Sequence, residues 1–380
     1  MKTIRRDQDV ILEGNDLEPI YCFKNFPVYM GSVEHDLSQD VLSDMNWVIS
    51  KISGVIQLNP LLPLDVVYPE AHGSGCVGDL WMSHHSALAK FIRKYNPYSV
   101  LEIGGAHGIL SKIYQDESPG VDWTILEPNP IPVEGVKAKI IQGFFNDEFG
   151  LDDPVDAVVH SHVFEHVYDP LSFVQHISGF LPESKHLIFS VPNMKEMLKR
   201  KYTNCINFEH TVFLTEPYIE YLMYQHGFRI VERKYFLDDH SIFYACIRDA
   251  SVKPIELPSG LYEENKKIYL DYVAYHEKLI QDLNTKIAAL RDNQKLYLFG
   301  AHVFAQYLIG FGLDTSRIES LLDNDPNKQG LRLYGTHLMV ASPKILADID
   351  NPVVILRAGV YNDEIEKDIR ENINGDTVFL

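Results

Sequence analysis

Two short histidine-rich segments carry most of the side chains that could do chemistry. The first, VVHSHVFEHVYDP (158–170), places His160, His162, Glu165 and His166 within seven residues. Histidines at i and i+4 with a carboxylate between them are one way to bind a metal ion. The segment is not an H-E-x-x-H motif, however, and no third ligand is evident. The alternative is a loop that lines a reaction centre, in which His166 acts on the substrate.

The second segment, NCINFEHTVFLT (204–215), holds a carboxylate and an imidazole side by side, Glu209 and His210. A nearby carboxylate raises the basicity of an imidazole, so such a pair suits general base catalysis. The alternative is a loop of solvated charges that leads into the helical pattern EPYIEYLMYQHGF.

A glycine-rich turn, VLEIGGAHGIL (100–110), joins a buried apolar run to a helical pattern. In it, Glu102 precedes the glycines Gly104, Gly105 and Gly108. Glycine allows a tight turn and lets a ligand approach the backbone. In a doubly wound sheet, this turn lies at the edge where ligands bind. We therefore predict that Glu102 and the three glycines contact a cofactor, although a merely tight turn is the simpler alternative.

Acids and aromatic residues at the next strand ends extend the predicted cofactor site. Glu127 ends the second strand and could accept hydrogen bonds from both hydroxyls of a ribose. Phe144 or Phe145 could stack on an adenine, and Asp147 could accept from its amino group. His160, at the end of the fourth strand, is predicted to face the cofactor.

Two cofactors suit such a turn. NAD prefers G-x-G-x-x-G, with its pyrophosphate on the helix N-terminus. S-adenosylmethionine carries no phosphate and tolerates a carboxylate at Glu102, which would repel a pyrophosphate. The order E-x-G-G-x-x-G, then E-P, then an edge hairpin resembles class I methyltransferases, which implies S-adenosylmethionine as the cofactor.

A parallel sheet is needed to bring these segments to one edge. Five apolar runs alternate with helical patterns, which predicts an α/β fold with a doubly wound sheet of the class I methyltransferase type. These runs are YSVLEIGG, VDWTILEP, KAKIIQGFF, VDAVVHSH and KHLIFSVPN. Two further runs, FRIVERKYFL and SIFYACIRD, predict an antiparallel pair at one edge.

The chain divides into four predicted segments. Residues 1–85, with many prolines and glycines, predict an irregular N-terminal substrate lobe, and residues 86–250 form the methyltransferase core. Residues 251–292 contain one long helix, whose spacing of apolar residues favours a connecting helix over a coiled-coil seam. Residues 293–380 predict a second, Rossmann-like domain that opens with KLYLFGAHVFAQ.

The composition excludes several functional classes. A net charge of −19 argues against nucleic acid or an anionic membrane as the main partner. The four cysteines, Cys22, Cys76, Cys205 and Cys246, form no C-x-x-C pair, so we expect neither a disulfide framework nor a bound metal. Since the N-terminus lacks a signal-type apolar run and no stretch could span a bilayer, we predict a cytoplasmic protein.

With these residues in view, the chain resembles the sugar C-methyltransferases, three-part enzymes that act on nucleotide-linked 4-keto deoxysugars. The resemblance rests on GVIQLNPLLPLDVVYPEAHGSG in the N-terminal lobe, on VFEHVYDP and NFEHTVFLT in the core, and on LYLFGAHVFAQ and LLDNDPNKQG near the C-terminus. It implies a nucleotide-sugar substrate. It also implies a mechanism in which a base removes the proton α to the ketone and the enolate carbon takes the methyl group, while polar groups stabilise the oxyanion.

The resemblance implies roles for individual residues. His210 would be the base, Glu209 would support it, and His166 would face the sugar from the other side. Tyr68 or His72, from the N-terminal lobe, would touch the sugar.

The chain departs from the family pattern at two places. Family members usually carry a zinc-binding cysteine set in the N-terminal lobe, whereas here only Cys22 and Cys76 lie in that segment. The family usually has a tyrosine at the substrate-binding position of Asn207. Without that phenol, O-methylation of a sugar hydroxyl stays open as an alternative, because a hydroxyl acceptor needs only a base.

Two further hypotheses assign the protein to functional classes other than the methyltransferases. An NAD-dependent sugar-nucleotide oxidoreductase or epimerase would use the Gly300 turn with Asp323 or Asp325, but FGAHVFAQ lacks the second and third glycines of the fingerprint. A non-enzymatic scaffold would assemble partners through the long helix, which also leaves a homodimer open. Calorimetry with S-adenosylmethionine and with NAD separates the enzymatic alternatives.

Overall fold

The structure of the protein, a computed structural model, describes residues 2–68 and 78–380. It comprises two compact units. The first contains Met1–Glu18, Val48–Met197 and Glu209–Asn265, and the second contains Pro19–Trp47, Leu198–Phe208 and Lys266–Leu380. Neither unit is one continuous stretch of chain. The four predicted segments stay a prediction.

The N-terminal part contains four strands and two helices before the main sheet begins. They are β1 (Leu17–Pro27), β2 (Ser32–Val33), β3 (Leu42–Ser50), β4 (Ile56–Leu58), α1 (Leu64–Val67) and α2 (Asp79–Arg93), with a 3-10 helix at Leu37–Gln39. A three-stranded sheet has the order β1-β3-β4. In it, β1 contains eleven residues and β3 contains nine.

A seven-stranded sheet forms the centre of the first unit. Its strands are β5 (Ser99–Ile103), β6 (Asp122–Glu127), β7 (Lys139–Gln142), β8 (Ala157–Ser161), β9 (His186–Pro192), β10 (Phe228–Phe236) and β11 (Ser241–Arg248). The order is β10-β11-β9-β8-β5-β6-β7, in which β5 to β9 are parallel and β11 is antiparallel to both of its neighbours. The predicted doubly wound core and the antiparallel edge pair are therefore confirmed.

Among the described residues, no helix lies between β6 and β7 or between β7 and β8, but the other connections before β10 contain helices. They are α3 (Ile109–Glu117), α4 (Pro170–Phe180), α5 (Met194–Lys199) and α6 (Glu216–Gln225), with a 3-10 helix at Phe164–His166. The start of α4 is set by local chemistry: Asp169 accepts a hydrogen bond from the backbone N–H of Ser172, and Pro170 occupies the first helical turn. The buried strands β5 and β8 pack Val100 and Val159 into one cluster with Leu88 of α2.

The second unit contains a smaller doubly wound sheet. Its elements, with α7 beginning in the first unit, are α7 (Leu261–Ala288), β12 (Leu296–Phe299), α8 (Val303–Gly310), β13 (Ile318–Leu322), β14 (Arg332–Leu333), β15 (Val340–Ala341), β16 (Val353–Leu356), α9 (Asn362–Asp368) and β17 (Val378–Phe379). The order β15-β13-β12-β16-β17 is parallel throughout, which confirms the Rossmann-like prediction.

The long helix α7 packs on its own chain. Ile280, Leu283 and Ile287 are buried in one cluster with Leu296 and Leu298 of β12. The apolar spacing of α7 is thus that of a connecting helix rather than of a free coiled-coil seam. Within the described residues, we find no helix that is both long and apolar enough to cross a membrane.

Candidate active site

The glycine-rich turn follows β5, and its own packing explains why it needs glycine. Gly104 and Gly108 have φ values of +74° and +67°, in the left-handed region. A Cβ on Gly105 would lie 2.7 Å from Cγ2 of Ile125 and 2.9 Å from Cδ of Glu102. Larger residues are excluded here because they would meet the strand-end side chains.

Glu102 lies beneath this turn, with only 4% of its surface exposed. Its Oε2 accepts a hydrogen bond of 2.8 Å from Nε1 of Trp123. Burial raises the pKa of Glu102 to about 7, the hydrogen bond from Trp123 opposes the rise, and the charge of Glu127 adds to it. A buried carboxyl group that titrates near neutrality stands ready to ionise when a cation arrives.

Glu127, at the end of β6, is held against the same turn. Its Oε2 accepts from the backbone N–H of Ala106 at 3.2 Å, and its Oε1 accepts from that of Asn129 at 3.0 Å. Both contacts orient the carboxylate towards the turn, where the sequence predicts a ribose.

The three residues predicted to contact an adenine differ in their exposure and packing. Phe144 is 59% exposed and offers a free ring face. Phe145 packs instead against His176 and Phe180, with ring centroids 4.5 and 5.6 Å apart. Asp147 is exposed and its Oδ1 lies 3.4 Å from Nδ1 of His176. Of the two phenylalanines, Phe144 has the more exposed ring, and stacking on an adenine stays a prediction.

His160 lies in an aromatic core. Its ring stacks on Phe189 with a centroid distance of 4.8 Å and an interplanar angle of 14°. Only 1% of the residue is exposed, and burial lowers the pKa of His160 to about 3. The structure therefore presents no surface of His160 to a ligand, and its assignment to the cofactor remains a prediction.

Three predicted side chains from distant parts of the chain come together. Oη of Tyr68 and Nδ1 of His166 are hydrogen-bonded at 2.6 Å. The rings of His166 and His210 lie edge to face with centroids 4.6 Å apart. Burial raises the pKa of Tyr68 well above its usual range, and the charges of Glu209, Tyr168 and Glu165 add to the rise. The phenol thus stays protonated beside two imidazoles.

A buried carboxylate that the sequence analysis assigned no catalytic role borders this trio. Glu165 is 1% exposed, and its Oε1 lies 3.2 Å from Nδ1 of His162. Burial opposes ionisation, but the contact with His162 and the charges of His162, His166 and His210 outweigh it and lower the pKa of Glu165 to about 2. Its position in the C-terminal half of a histidine-rich segment was visible in the sequence, whereas its burial was not.

The segment that carries His210 is attached to β4 by backbone pairing. The N–H of Leu58 donates to the carbonyl of Thr211 at 2.8 Å, and the N–H of Phe213 donates to that of Ile56 at 2.8 Å. An edge strand of the N-terminal part therefore positions the imidazole of His210.

Arg6 reinforces the same attachment, and no sequence motif pointed to this residue. Its buried guanidinium donates to the carbonyls of Leu58, Tyr168 and Thr211, at 3.3, 3.1 and 3.2 Å. Burial lowers the pKa of Arg6 to about 9, partly offset by Tyr168 and Asp169. One side chain thus connects the two segments that carry His166 and His210.

Replacing Arg6 by alanine is expected to lower the free energy of unfolding by about 2–5 kcal/mol, because three carbonyls each lose a charged hydrogen-bond donor and the packing of the buried guanidinium is lost. Urea denaturation followed by circular dichroism measures this. The matched control is Arg5→Ala, since Arg5 is exposed and pairs only locally with Asp7, which predicts a change of about 0–1 kcal/mol. Equal effects of the two substitutions would contradict the anchoring role of Arg6.

The other two predicted substrate residues are His72 and Asn207. His72 lies outside the described residues, as does Cys76. Asn207 is buried at 3% exposure in the second unit, within Leu198–Phe208. Their roles stay predictions.

The turn at Gly300 in the second unit has its strand-end acid already engaged. Oδ2 of Asp323 accepts from the backbone N–H of Ala301 at 2.9 Å and from Nζ of Lys328 at 3.0 Å. Its Oδ1 accepts from the backbone N–H of Asp325. Asp323 thus closes the turn after its own sheet strand, and the NAD hypothesis stays a prediction.

The doubly wound sheet with its antiparallel edge pair, together with an acid and a glycine-rich turn after the first strand, defines a class I methyltransferase core. Residues 80–233 match the family described as "Methyltransferase domain". Residues 255–380 match the family described as "C-methyltransferase C-terminal domain". The two matched domains identify the chain as a member of a C-methyltransferase family with a class I core. It is an enzyme of the S-adenosylmethionine-dependent type.

Several solved structures resemble part of the chain. An O-methyltransferase family protein from Burkholderia thailandensis is 11% identical over 45% of this chain and 57% of its own, with a TM-score of 0.36. The mitomycin 7-O-methyltransferase MmcR is 16% identical over 45% of this chain and 55% of its own, with a TM-score of 0.38. The N-methyltransferase NodS from Bradyrhizobium japonicum WM9 is 15% identical over 45% of this chain and 88% of its own, with a TM-score of 0.35. No curated protein matches the sequence significantly.

Proposed function

We propose that the protein transfers a methyl group from S-adenosylmethionine to the carbon next to the ketone of a nucleotide-linked deoxysugar. The observation that carries the proposal is the juxtaposition of a protonated phenol, Tyr68, with two imidazoles, His166 and His210. Removal of a proton from carbon requires a base, and the enolate that forms requires a hydrogen-bond donor at its oxygen. This arrangement offers both. The match of residues 255–380 to a C-methyltransferase domain supports the same chemistry.

In this proposal, His210 removes the α-proton and Glu209 stabilises the resulting imidazolium. The phenol of Tyr68, hydrogen-bonded to His166, donates to the developing oxyanion. Tyr68 therefore takes the part that the sequence analysis left without a donor when it found Asn207 in place of a tyrosine. His166 is the rival base, since its ring lies 4.6 Å from that of His210.

The residues around the glycine-rich turn fit the proposed cofactor. A positively charged ligand suits the buried Glu102, a ribose suits Glu127, and an adenine suits the exposed ring of Phe144. When bound, S-adenosylmethionine supplies an electrophilic methyl group on a sulfonium centre. The same proposal includes the four predicted segments, of which residues 1–85 are the substrate-binding lobe. It also includes a homodimer.

Replacing Glu127 by alanine is expected to weaken S-adenosylmethionine binding by about 1–3 kcal/mol, because charged hydrogen bonds to the ribose are lost. Isothermal titration calorimetry of the folded variant measures this. Since Glu127 also holds Ala106 and Asn129, the thermal unfolding midpoint is recorded in parallel, and Asp122→Ala, at the exposed opposite end of β6, serves as an acidic comparison. An unchanged affinity in a folded Glu127→Ala protein would remove this residue from the cofactor site.

The function itself is tested by mass spectrometry of nucleotide-linked 4-keto deoxysugars incubated with enzyme and cofactor. A mass gain of one methyl group, located on carbon by fragmentation, is the expected result. A second experiment incubates enzyme and sugar in deuterated water with an unreactive cofactor analogue. C-methylation predicts exchange of the α-proton. Methylated product without any exchange would instead indicate transfer to a hydroxyl oxygen.

A further inference from the structure

We propose that the first unit contains a binding site for a divalent transition-metal ion, Zn²⁺ in the first instance, held by His84, His162 and His240. These residues come from α2, from the turn after β8 and from the turn before β11. One possible ligand atom of each ring lies within 4.8 Å of those of the other two. The site is separate from the Tyr68, His166 and His210 trio, and it departs from our expectation that no metal is bound.

The spacing of the three rings is that of imidazoles around one ion. With a Zn–N distance of about 2.0–2.1 Å and tetrahedral angles, the centres of two coordinated rings lie about 5.2 Å apart. The observed centroid distances are 5.2 Å for His84 and His162, 5.4 Å for His84 and His240, and 6.0 Å for His162 and His240. Small side-chain movements would therefore bring the three rings onto a shared ion.

His162 has the environment expected of a metal ligand. Its Nδ1 lies 3.2 Å from the buried carboxylate of Glu165, a contact that favours the Nδ1–H tautomer and leaves the Nε2 lone pair free to coordinate. The backbone of His162 is strained, with φ at +53°. Strain of this kind in a non-glycine residue clusters at functional sites. The carboxyl oxygens of Glu165 have no well-aligned hydrogen bond among the described residues.

The surroundings of the cluster are largely aromatic. Trp81 lies with its ring 5.3, 5.0 and 5.1 Å from those of His84, His162 and His240. His84 is fully buried, and its Nδ1 has no hydrogen-bond partner in the described part of the chain, whereas His162 and His240 are half-buried. Metal binding requires each coordinating nitrogen to be unprotonated, so the site would take up metal with release of any protons that its rings carry.

Two serines form hydrogen bonds with ring nitrogens of the cluster. Oγ of Ser241 lies 2.8 Å from Nε2 of His162 and 2.6 Å from Nδ1 of His240. Oγ of Ser190 lies 2.9 Å from Nε2 of His84. A hydroxyl group can rotate away or become a further oxygen ligand, so these hydrogen bonds are compatible with coordination by the same nitrogens. A purely structural polar cluster would explain the hydrogen bonds but not the strained His162 and its buried carboxylate.

The test uses full-length protein without a histidine tag, stripped with a chelator and dialysed. Zn²⁺ is titrated in competition with a chromophoric chelator, and Co²⁺ is added separately to record its visible absorption. We expect one equivalent of bound Zn²⁺, tetrahedral Co²⁺ bands and a higher thermal unfolding midpoint with metal. His240→Ala is expected to weaken the affinity by at least about 100-fold, and Glu165→Gln by about 10–100-fold.

Two further variants keep the proposal falsifiable. His337→Ala, a histidine of the second unit, is expected to bind one equivalent as the native protein does. His210→Ala distinguishes the proposed site from the second group of possible ligands, Glu165, His166 and His210, and should also leave binding intact. Binding that survives His240→Ala, or that is lost in His210→Ala alone, would overturn the proposal, as would the absence of any stoichiometric uptake. If His240→Ala does not fold, Ser241→Ala and His84→Asn take its place. Ser241→Ala is followed by its Co²⁺ spectrum and affinity, and His84→Asn by its affinity. An unchanged spectrum and affinity in Ser241→Ala, together with a folded His84→Asn that still binds, would count against the site.

Discussion

Turnover is expected to fall by about 10²–10⁴-fold when His210 is replaced by alanine, which is the usual contribution of a general base. Cofactor affinity should stay unchanged, because His210 lies on the segment paired with β4 and not beside the glycine-rich turn. Single-turnover kinetics with the sugar identified by mass spectrometry separate the chemical step from binding. A Glu209→Gln variant should lose less, since it tunes the imidazole rather than moving the proton.

His166→Ala provides the decisive comparison. If His210 is the base, His166→Ala should slow the reaction while α-proton exchange in deuterated water continues. Loss of exchange in His166→Ala combined with near-native turnover in His210→Ala would reverse the two roles.

Arg6→Lys is a useful third variant, because it keeps a charge near the segment but cannot make all three carbonyl contacts of the guanidinium.

The second large effect concerns Glu102 and pH. Because burial raises the pKa of Glu102 to about 7, the carboxyl group of the free enzyme is mostly protonated at pH 5.5 and half ionised near pH 7. The ionised form is the one that attracts a cationic ligand, so affinity for S-adenosylmethionine should rise with pH over this interval, by about tenfold. Binding should release up to one proton, which calorimetry in buffers of different ionisation enthalpy detects. Below pH 7 the ligand's own amino group stays charged.

Glu102→Gln is expected to abolish this pH dependence and to weaken binding at pH 7 by roughly 10–100-fold, because a charged partner is lost. Glutamine keeps the shape and can still accept the hydrogen bond from Trp123. As a control, Glu127→Gln should bind more weakly but keep the slope. A Glu102→Gln protein whose affinity still rises with pH would show that another group titrates.

The parallel core was predictable because apolar runs of five or six residues alternate with helical patterns, and β5, β6 and β8 lie where those runs stand. Glu102, near the end of β5, and the glycines that follow could be located for the same reason, because the turn comes directly after the strand. The side chains that contact these residues could not be predicted from the sequence. The glycine at 105 is required by the side chains of Ile125 and Glu102, and such close approaches depend on neighbouring strands rather than on local sequence.

The side chains that surround the trio were harder to foresee. Arg6 lies 205 residues before its partner Thr211, and no periodic pattern connects them. His160 and His162 look equivalent in the sequence, yet the pleat of β8 directs His160 into aromatic packing while the turn beyond it brings His162 to Glu165. Burial and pairing of this kind are decided by tertiary contacts.

The chain moves between its two units at five places, namely 18/19, 47/48, 197/198, 208/209 and 265/266. Recombination at the matched domain boundaries would therefore not transplant the chemistry. A gene fragment for residues 80–233 would encode His210 but neither β4 nor Arg6. The segment that carries the proposed base would then lack its backbone hydrogen-bond partners. Moving the proposed chemistry to another chain would therefore also require β4 and Arg6, which precede the matched domain.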